Sequence, residues 1–152
     1  MSNLVFRAME FAREVHNDQT RRCSGNPYVD HLAEAAGITA SVLADGSELQ
    51  EVMLATAWLH ECVEDQGVTK YTLIDQFGEH VADGVMWLSD LEEGNRTNRK
   101  ALSQRRLMRA PERVQTIKWA DLISNTSSIV TQLLRTSRPQ WRLFQPIHRQ
   151  YG

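Results

Sequence analysis

Cysteine is scarce in this chain: Cys23 and Cys62 are the two present in 152 residues. They lie far apart and form no CxxC pair, so neither a thiolate zinc site nor a dithiol redox motif is available. Both read as free thiols in a reducing cytoplasm, Cys62 as a small buried hydrophobe. Excess charge is also small: net −2, with a pI near 6.2. That balance argues against general nucleic-acid or anionic-membrane partners. No apolar run approaches the length needed to cross a bilayer. The start, MSNLVFRAMEF, lacks the basic n-region and apolar stretch of a signal peptide.

Period-two alternation is nearly absent, while three-to-four-residue periodicity recurs. Leu4, Ala8, Phe11 and Val15 mark a helix over 4–18. Residues 19–27 are polar, carry Gly25 and Pro27, and predict a loop. A second helix is expected from Val29 to Ala44, stopping near Asp45-Gly46. Ser47 and Gln50 form a capping box for a third. Its inward face should carry Leu49, Val52, Met53, Thr56, Leu59 and Val63, with an end at Gly67. Thr69 caps a short helix to Gly78, and another follows through Val81, Val85 and Leu88. After a polar linker over 92–98, helices are predicted for 99–109 and 112–132, with Pro111 at a tolerated first position. The tail 137–152 is short and proline-punctuated. The expectation is an all-α, compact, single-domain helical bundle over 1–152, a length that can bury its own core.

Against that apolar pattern stand His31, His60-Glu61, Glu64-Asp65, Asp121 and Asn125. Charged groups on a core-facing stripe are costly unless something pairs them. On one continuous third helix, His60 and Glu64 share a face and Glu61 shares one with Asp65. Asp121 follows Val114 and Ile117 inward. A lone buried aspartate there would shift its pKa upward, whereas a cation would hold it ionised. His31 opens the second helix just after the Pro27-Tyr28 turn and can face the same centre. Imidazole and carboxylate donors without thiolate suit Mn²⁺, Fe²⁺ or Zn²⁺ better than Ca²⁺.

The segments FAREVHNDQTRRCSGNPYVDH, ATAWLHECVEDQGVT and VQTIKWADLISNTSSI resemble the HD superfamily of metal-dependent phosphohydrolases. Within it they are most similar to the RelA/SpoT-type alarmone hydrolases and their small stand-alone relatives. The likeness spans roughly 4–130 and keeps the family's order of histidine, His-acid pair, Glu-Asp pair, and Ala-Asp with Asn four later. It implies an HD-type fold and makes His31, His60, Glu61 and Asp121 metal ligands. By the same resemblance, Glu64 and Asp65 position or activate water, and Asn125 meets a sugar. Arg21 or Arg22, with Ser24, belongs to a base-binding loop. The implied cofactor is a divalent ion, Mn²⁺ foremost, with Fe²⁺, Zn²⁺ or Mg²⁺ as alternatives. The implied partner is a nucleotide, with self-association left open. The chain departs from the pattern at Glu61, where the family has Asp, and at Leu32 and Leu122, where proline and a basic residue are common. At 152 residues there is no room for a synthetase domain.

Three function classes fit these residues. One is a guanosine 3′,5′-bis(diphosphate) 3′-pyrophosphohydrolase. Another is an HD-type nucleotidase acting on a different nucleotide. The third is a nucleotide-binding module impaired by Glu61. Each residue alone also has a plainer reading: His31 or His60 as core histidines, Glu64-Asp65 as a helix end, Asp121 as a carboxylate satisfied by backbone. Order and spacing together favour the metal. Of the 17 basic residues, eight fall between Arg96 and Lys118. That run reads first as a solvated helix face and second as a rim attractive to polyphosphate. His16, His80 and His148 read as structural or exposed, and Trp58, Trp87 and Trp119 as packing groups.

Overall fold

A computed structural model describes residues 3–43 and 46–136 of the chain; the predicted features at Ala44, Asp45 and the 137–152 tail lie outside these. Among the described residues there are eight helices: α1 (Asn3–Val15), α2 (Val29–Ser41), α3 (Glu48–Leu59), α4 (Cys62–Gln66), α5 (Lys70–Phe77), α6 (Glu79–Leu88), α7 (Arg96–Met108) and α8 (Glu112–Arg135). Strand pairing among them is limited to one isolated antiparallel bridge, Thr20 with Pro27. The all-α expectation holds.

Local chemistry sets the starts. Ser47 Oγ accepts from Gln50 N–H, Thr69 Oγ1 from Thr72 N–H, and Asn95 Oδ1 from Asn98 N–H. Each satisfies a backbone donor that a first helical turn leaves bare. The Asn95 cap starts α7 three residues before the predicted Arg99. Pro111 sits at the cap of α8 rather than inside it, a one-position difference within the tolerance of helix boundaries. Gly67 closes α4 at φ +67, in the left-handed region that favours glycine.

The largest departure is in the predicted third helix. It does not run unbroken to Gly67: α3 ends at Leu59, His60 and Glu61 form a turn, and α4 begins at Cys62. A face shared by His60 and Glu64 along one helix is therefore replaced by a bend at the pair itself. Leu49, expected inside, is 52% exposed because α3 presents its first turn to solvent.

Helix α3 is central, packing on α1, α2 and α6, while α2 also packs along α8. One apolar cluster joins Ala8, Ala12, Leu32, Leu59, Leu73 and Val85. A second joins Met53, Leu88, Val114 and Ile117, and Trp58 touches both. Trp87 packs on the second cluster. Trp119 does not pack as expected and is 66% exposed, because α8 turns Ala120 and Asp121 inward instead. Helix α7, with most of the basic run, buries no residue fully, which fits the solvated-face reading. No helix among the described residues is long and apolar enough to cross a membrane.

Candidate metal centre and adjoining cleft

The 16–28 connection folds back on itself. Arg21 N–H donates to Asn26 O at 2.8 Å and Tyr28 N–H to Gln19 O at 2.8 Å, while Gly25 takes φ +72. This hairpin ends where α2 begins, so His31 enters in the first turn of α2. The α3–α4 bend supplies His60 and Glu61, and the inward stripe of α8 supplies Asp121. One donor atom from each of His31, His60, Glu61 and Asp121 lies within 4.8 Å of every other. All four predicted ligands therefore converge.

His31 Nε2 stands 3.3 Å from Asp121 Oδ1, and His60 Nε2 lies 3.3 Å from Glu61 Oε1 and 3.7 Å from Asp121 Oδ1. None of these is a well-formed hydrogen bond, so both Nε2 atoms are buried without a partner. The opposite ring nitrogens are engaged. His60 Nδ1 lies 2.7 Å from Ala57 O, and His31 Nδ1 lies 2.8 Å from Ser124 Oγ. A carbonyl only accepts, so His60 keeps a proton on Nδ1, and Nε2 is the atom that gives up its proton to offer a lone pair to a cation. That is the usual preparation of a metal-binding histidine. Two bare imidazole nitrogens and two carboxylates facing one point fit a divalent cation. The extra methylene of Glu61 does not remove it from the group.

Charge in the centre is balanced pairwise. Burial raises the Asp121 pKa, but His31, His60 and Lys118 outweigh it and hold the carboxyl well below the usual range. This corrects the upward shift expected for a lone buried aspartate, because Asp121 is not alone. Lys118 Nζ sits 2.7 Å from its Oδ2, and Asn125 Nδ2 donates to its Oδ1 at 2.7 Å. Burial likewise disfavours the His60 imidazolium, yet the Asp121 and Glu61 carboxylates push its pKa up to about 10.

Glu64 and Asp65 lead away from this centre in different directions. Glu64 Oε2 accepts from Asp90 N–H at 2.9 Å. Partial burial, with the Glu61, Asp90 and Asp65 charges, raises its pKa to about 7 although the Asp90 bond lowers it. Asp65 Oδ2 accepts from Gln19 Nε2 at 2.7 Å, and Gln19 Oε1 meets His16 Nδ1 at 2.7 Å. His16 is buried and stacks on Tyr28, whose ring also meets His31.

A cleft of about 340 Å³, lined by Gln19, Arg21, Arg22, Tyr28, Asp65 and Asn125 among others but by none of the four donors, adjoins the centre through Asn125, bonded to Asp121, and Tyr28, against the His31 ring. Arg21 is buried and committed, with Nη1 2.9 Å from Glu34 Oε2 and Nη2 3.2 Å from Ser124 O. Arg22 is exposed at the rim. Ser24 is not among the lining residues; its hydroxyl accepts from Asn26 N–H within the hairpin. Burial raises the Glu34 carboxyl's pKa, but Ser124 and Arg21 more than offset this and lower it. A larger, mainly apolar groove of about 650 Å³ runs along α2, α3 and α8, and none of the four donors lines it.

Sequence reasoning missed Glu34, Ser124, Gln19 and Lys118. Lys118 was legible as three residues before Asp121 on one helix face. The other three act across long sequence separations and leave no local signal.

Comparison with known proteins agrees with this arrangement. The HD domain family model matches residues 8–145. A probable guanosine-3′,5′-bis(diphosphate) 3′-pyrophosphohydrolase of Synechocystis is 31% identical over 98% of this chain and 20% of its own. The Vibrio cholerae guanosine-3′,5′-bis(diphosphate) 3′-pyrophosphohydrolase is 33% identical over 93% of this chain and 21% of its own. A probable GTP pyrophosphokinase of Mycobacterium leprae is 36% identical over 81% and 15%. The chain thus spans about a fifth or less of the length of these relatives. A solved structure described as a metazoan ortholog of SpoT that hydrolyzes ppGpp superposes with a TM-score of 0.77 and 25% identity, covering 86% of this chain and 72% of that one. With the family model matched over most of its length and the His-Glu-Asp donors gathered in its core, this chain belongs to the HD domain family.

Proposed function

We propose that this chain, as a single HD-type domain, is a metal-dependent hydrolase that removes pyrophosphate from the 3′ position of guanosine 3′,5′-bis(diphosphate). The observation that carries the reading is the pair of bare, buried Nε2 atoms of His31 and His60 facing Asp121 and Glu61 beside a nucleotide-sized cleft. The pyrophosphohydrolase activities of the Synechocystis and Vibrio relatives and the ppGpp hydrolysis of the SpoT ortholog support the substrate.

His31, His60, Glu61 and Asp121 would hold the ion, with Mn²⁺ as the first candidate. When bound, such an ion supplies Lewis-acid polarisation of a phosphoryl oxygen and makes water more acidic. The protein's own groups do the rest. Glu64, with a pKa near 7, is suited to accept the proton of the attacking water. Asp65, steadied by Gln19, holds that water in line. Asn125 bridges Asp121 and the cleft and is placed to meet the sugar. Arg22, exposed at the cleft rim, is the guanidinium available to the base, since Arg21 is tied to Glu34. Ser24 supports this by closing the hairpin that presents Arg22. Such an enzyme would work in the cytoplasm on a small nucleotide.

A second reading, a nucleotidase for a smaller phosphate, is favoured by Leu122, half-exposed where a basic residue would strengthen polyphosphate binding. Convergence of Glu61 with the other donors counts against an impaired site. The test is pyrophosphate and phosphate release over a panel of nucleotides, with Mn²⁺ and with chelator. Mn²⁺-dependent pyrophosphate release from guanosine 3′,5′-bis(diphosphate) is expected. Turnover of simple monophosphates alone would establish the second reading instead.

A further inference from the structure

The two imidazoles of the centre are held in different ways. His60 leans on Ala57 O, a carbonyl three residues back in the last turn of α3. His31 depends on a tertiary chain: its Nδ1 lies 2.8 Å from Ser124 Oγ, and that hydroxyl donates to Glu34 Oε2 at 2.6 Å. The same carboxylate oxygen takes the Arg21 guanidinium at 2.9 Å, and Arg21 also binds the Ser124 carbonyl at 3.2 Å. His31, Ser124 and Arg21 are 0%, 1% and 8% exposed, so water does not compete freely for the His31–Ser124 bond, while the Glu34 side chain, 49% exposed, is the solvent-facing end of the relay.

A serine hydroxyl has a single proton. Glu34 is ionised and can only accept, so that proton goes to Glu34, and Ser124 Oγ must accept from His31. The proton of His31 is then fixed on Nδ1 and its lone pair on Nε2, the atom turned toward Asp121. Without Ser124 and Glu34, the ring is free to adopt the other tautomer and to rotate about its χ2. Arg21 pairs the half-exposed Glu34 and holds its Oε2 against the Ser124 hydroxyl.

We propose that Ser124 and Glu34 are positioning residues that set the tautomer and aim of His31 for the cation, with Arg21 clamping Glu34 in place. This rests on the metal-centre reading above. Partners of this type in other metal sites typically change metal affinity by about 10- to 100-fold when removed. The relay spans the hairpin, α2 and α8, which are the three segments that wall one side of the centre, and it places the loop's first arginine in support of a ligand rather than of substrate.

The test is Mn²⁺ titration calorimetry on the full chain and on Ser124→Ala and Glu34→Gln, with melting temperatures of the metal-free forms alongside. Ser124→Ala should bind Mn²⁺ about 10- to 100-fold more weakly. Glu34→Gln keeps an acceptor but loses the charge, so it should fall between that variant and the parent. In the Zn²⁺-loaded parent, NMR should show a downfield, slowly exchanging His31 Nδ1 proton that is lost in Ser124→Ala; a loosened fold alone would not remove that one signal. Should Ser124→Ala fail to fold, Glu34→Gln decides through its affinity. Parent-like Mn²⁺ affinity in the folded variants overturns the relay and spares the metal centre. No metal uptake by the parent overturns both.

Discussion

The rings of His31 and His60 meet edge to face, with centroids 5.4 Å apart and planes at 68°, and both present Nε2 to Asp121 Oδ1. Two histidines 29 positions apart in sequence, one in the first turn of α2 and one in the α3–α4 turn, thereby face one carboxylate oxygen. Neither Nε2 has a hydrogen-bond partner in this dry setting, and a cation would fill the place those unmade bonds leave.

Asp121→Ala removes the group to which both rings are aimed. It should abolish Mn²⁺ uptake and with it the metal-dependent rise in melting temperature. Elemental analysis after gel filtration checks this; undiminished metal in the variant would take Asp121 out of the centre.

Glu64→Gln keeps the bond accepted from Asp90 N–H but cannot take a proton. Metal uptake should be unchanged while turnover falls by about 10²- to 10⁴-fold. Turnover at the parent rate would remove Glu64 from the role of base.

The metal-free protein should lose stability on the alkaline side. The folded pKa of His60, about 10, lies above its unfolded value of about 6.5. Its contribution is therefore full below pH 6.5 and is lost as the pH rises toward 10. Thermal melts in chelator from pH 6 to 10 measure this. Saturation with Mn²⁺ should flatten the decline, because the ligand form of His60 is the deprotonated one.

Arg22→Ala should raise KM for the nucleotide and leave Mn²⁺ affinity unaltered. Parent-like KM would show that Arg22 is only a solvated loop residue.

Gly84→Ala tests the packing behind the site. A Cβ there would come within 2.9 Å of Thr56 Cγ2, and Thr56 is itself tied to Val52 O. Overpacking at this α3–α6 contact should cost about 1–3 kcal/mol, read by chemical denaturation. A neutral or stabilising result would mean that the two helices separate easily.

Much of this could be read from the residues. The helix starts at Ser47 and Thr69 rest on local side-chain chemistry, and the inward aim of Asp121 follows from Val114 and Ile117 on the same stripe. The convergence of His31, His60, Glu61 and Asp121 was legible through their resemblance to the HD pattern. What escaped was tertiary. What distinguishes Arg21 from Arg22 is Glu34, thirteen positions from Arg21, and the partner of His31 lies 93 positions away on α8. Trp119 has core-like spacing but faces out, because a helix's apolar periodicity does not reveal where its neighbours stop. The interruption after Leu59 escaped because His60 and Glu61 keep helix-like backbone angles, and no glycine or proline marks them.

That interruption decides which way two consecutive side chains can look. On an unbroken α-helix, adjacent residues radiate about 100° apart, so chain neighbours rarely serve the same point. Here both come from the turn between α3 and α4, and His60 Nε2 and Glu61 Oε1 still meet at 3.3 Å. A substitution that straightened the bend would leave every donor atom in the sequence and still dissolve the coordination sphere.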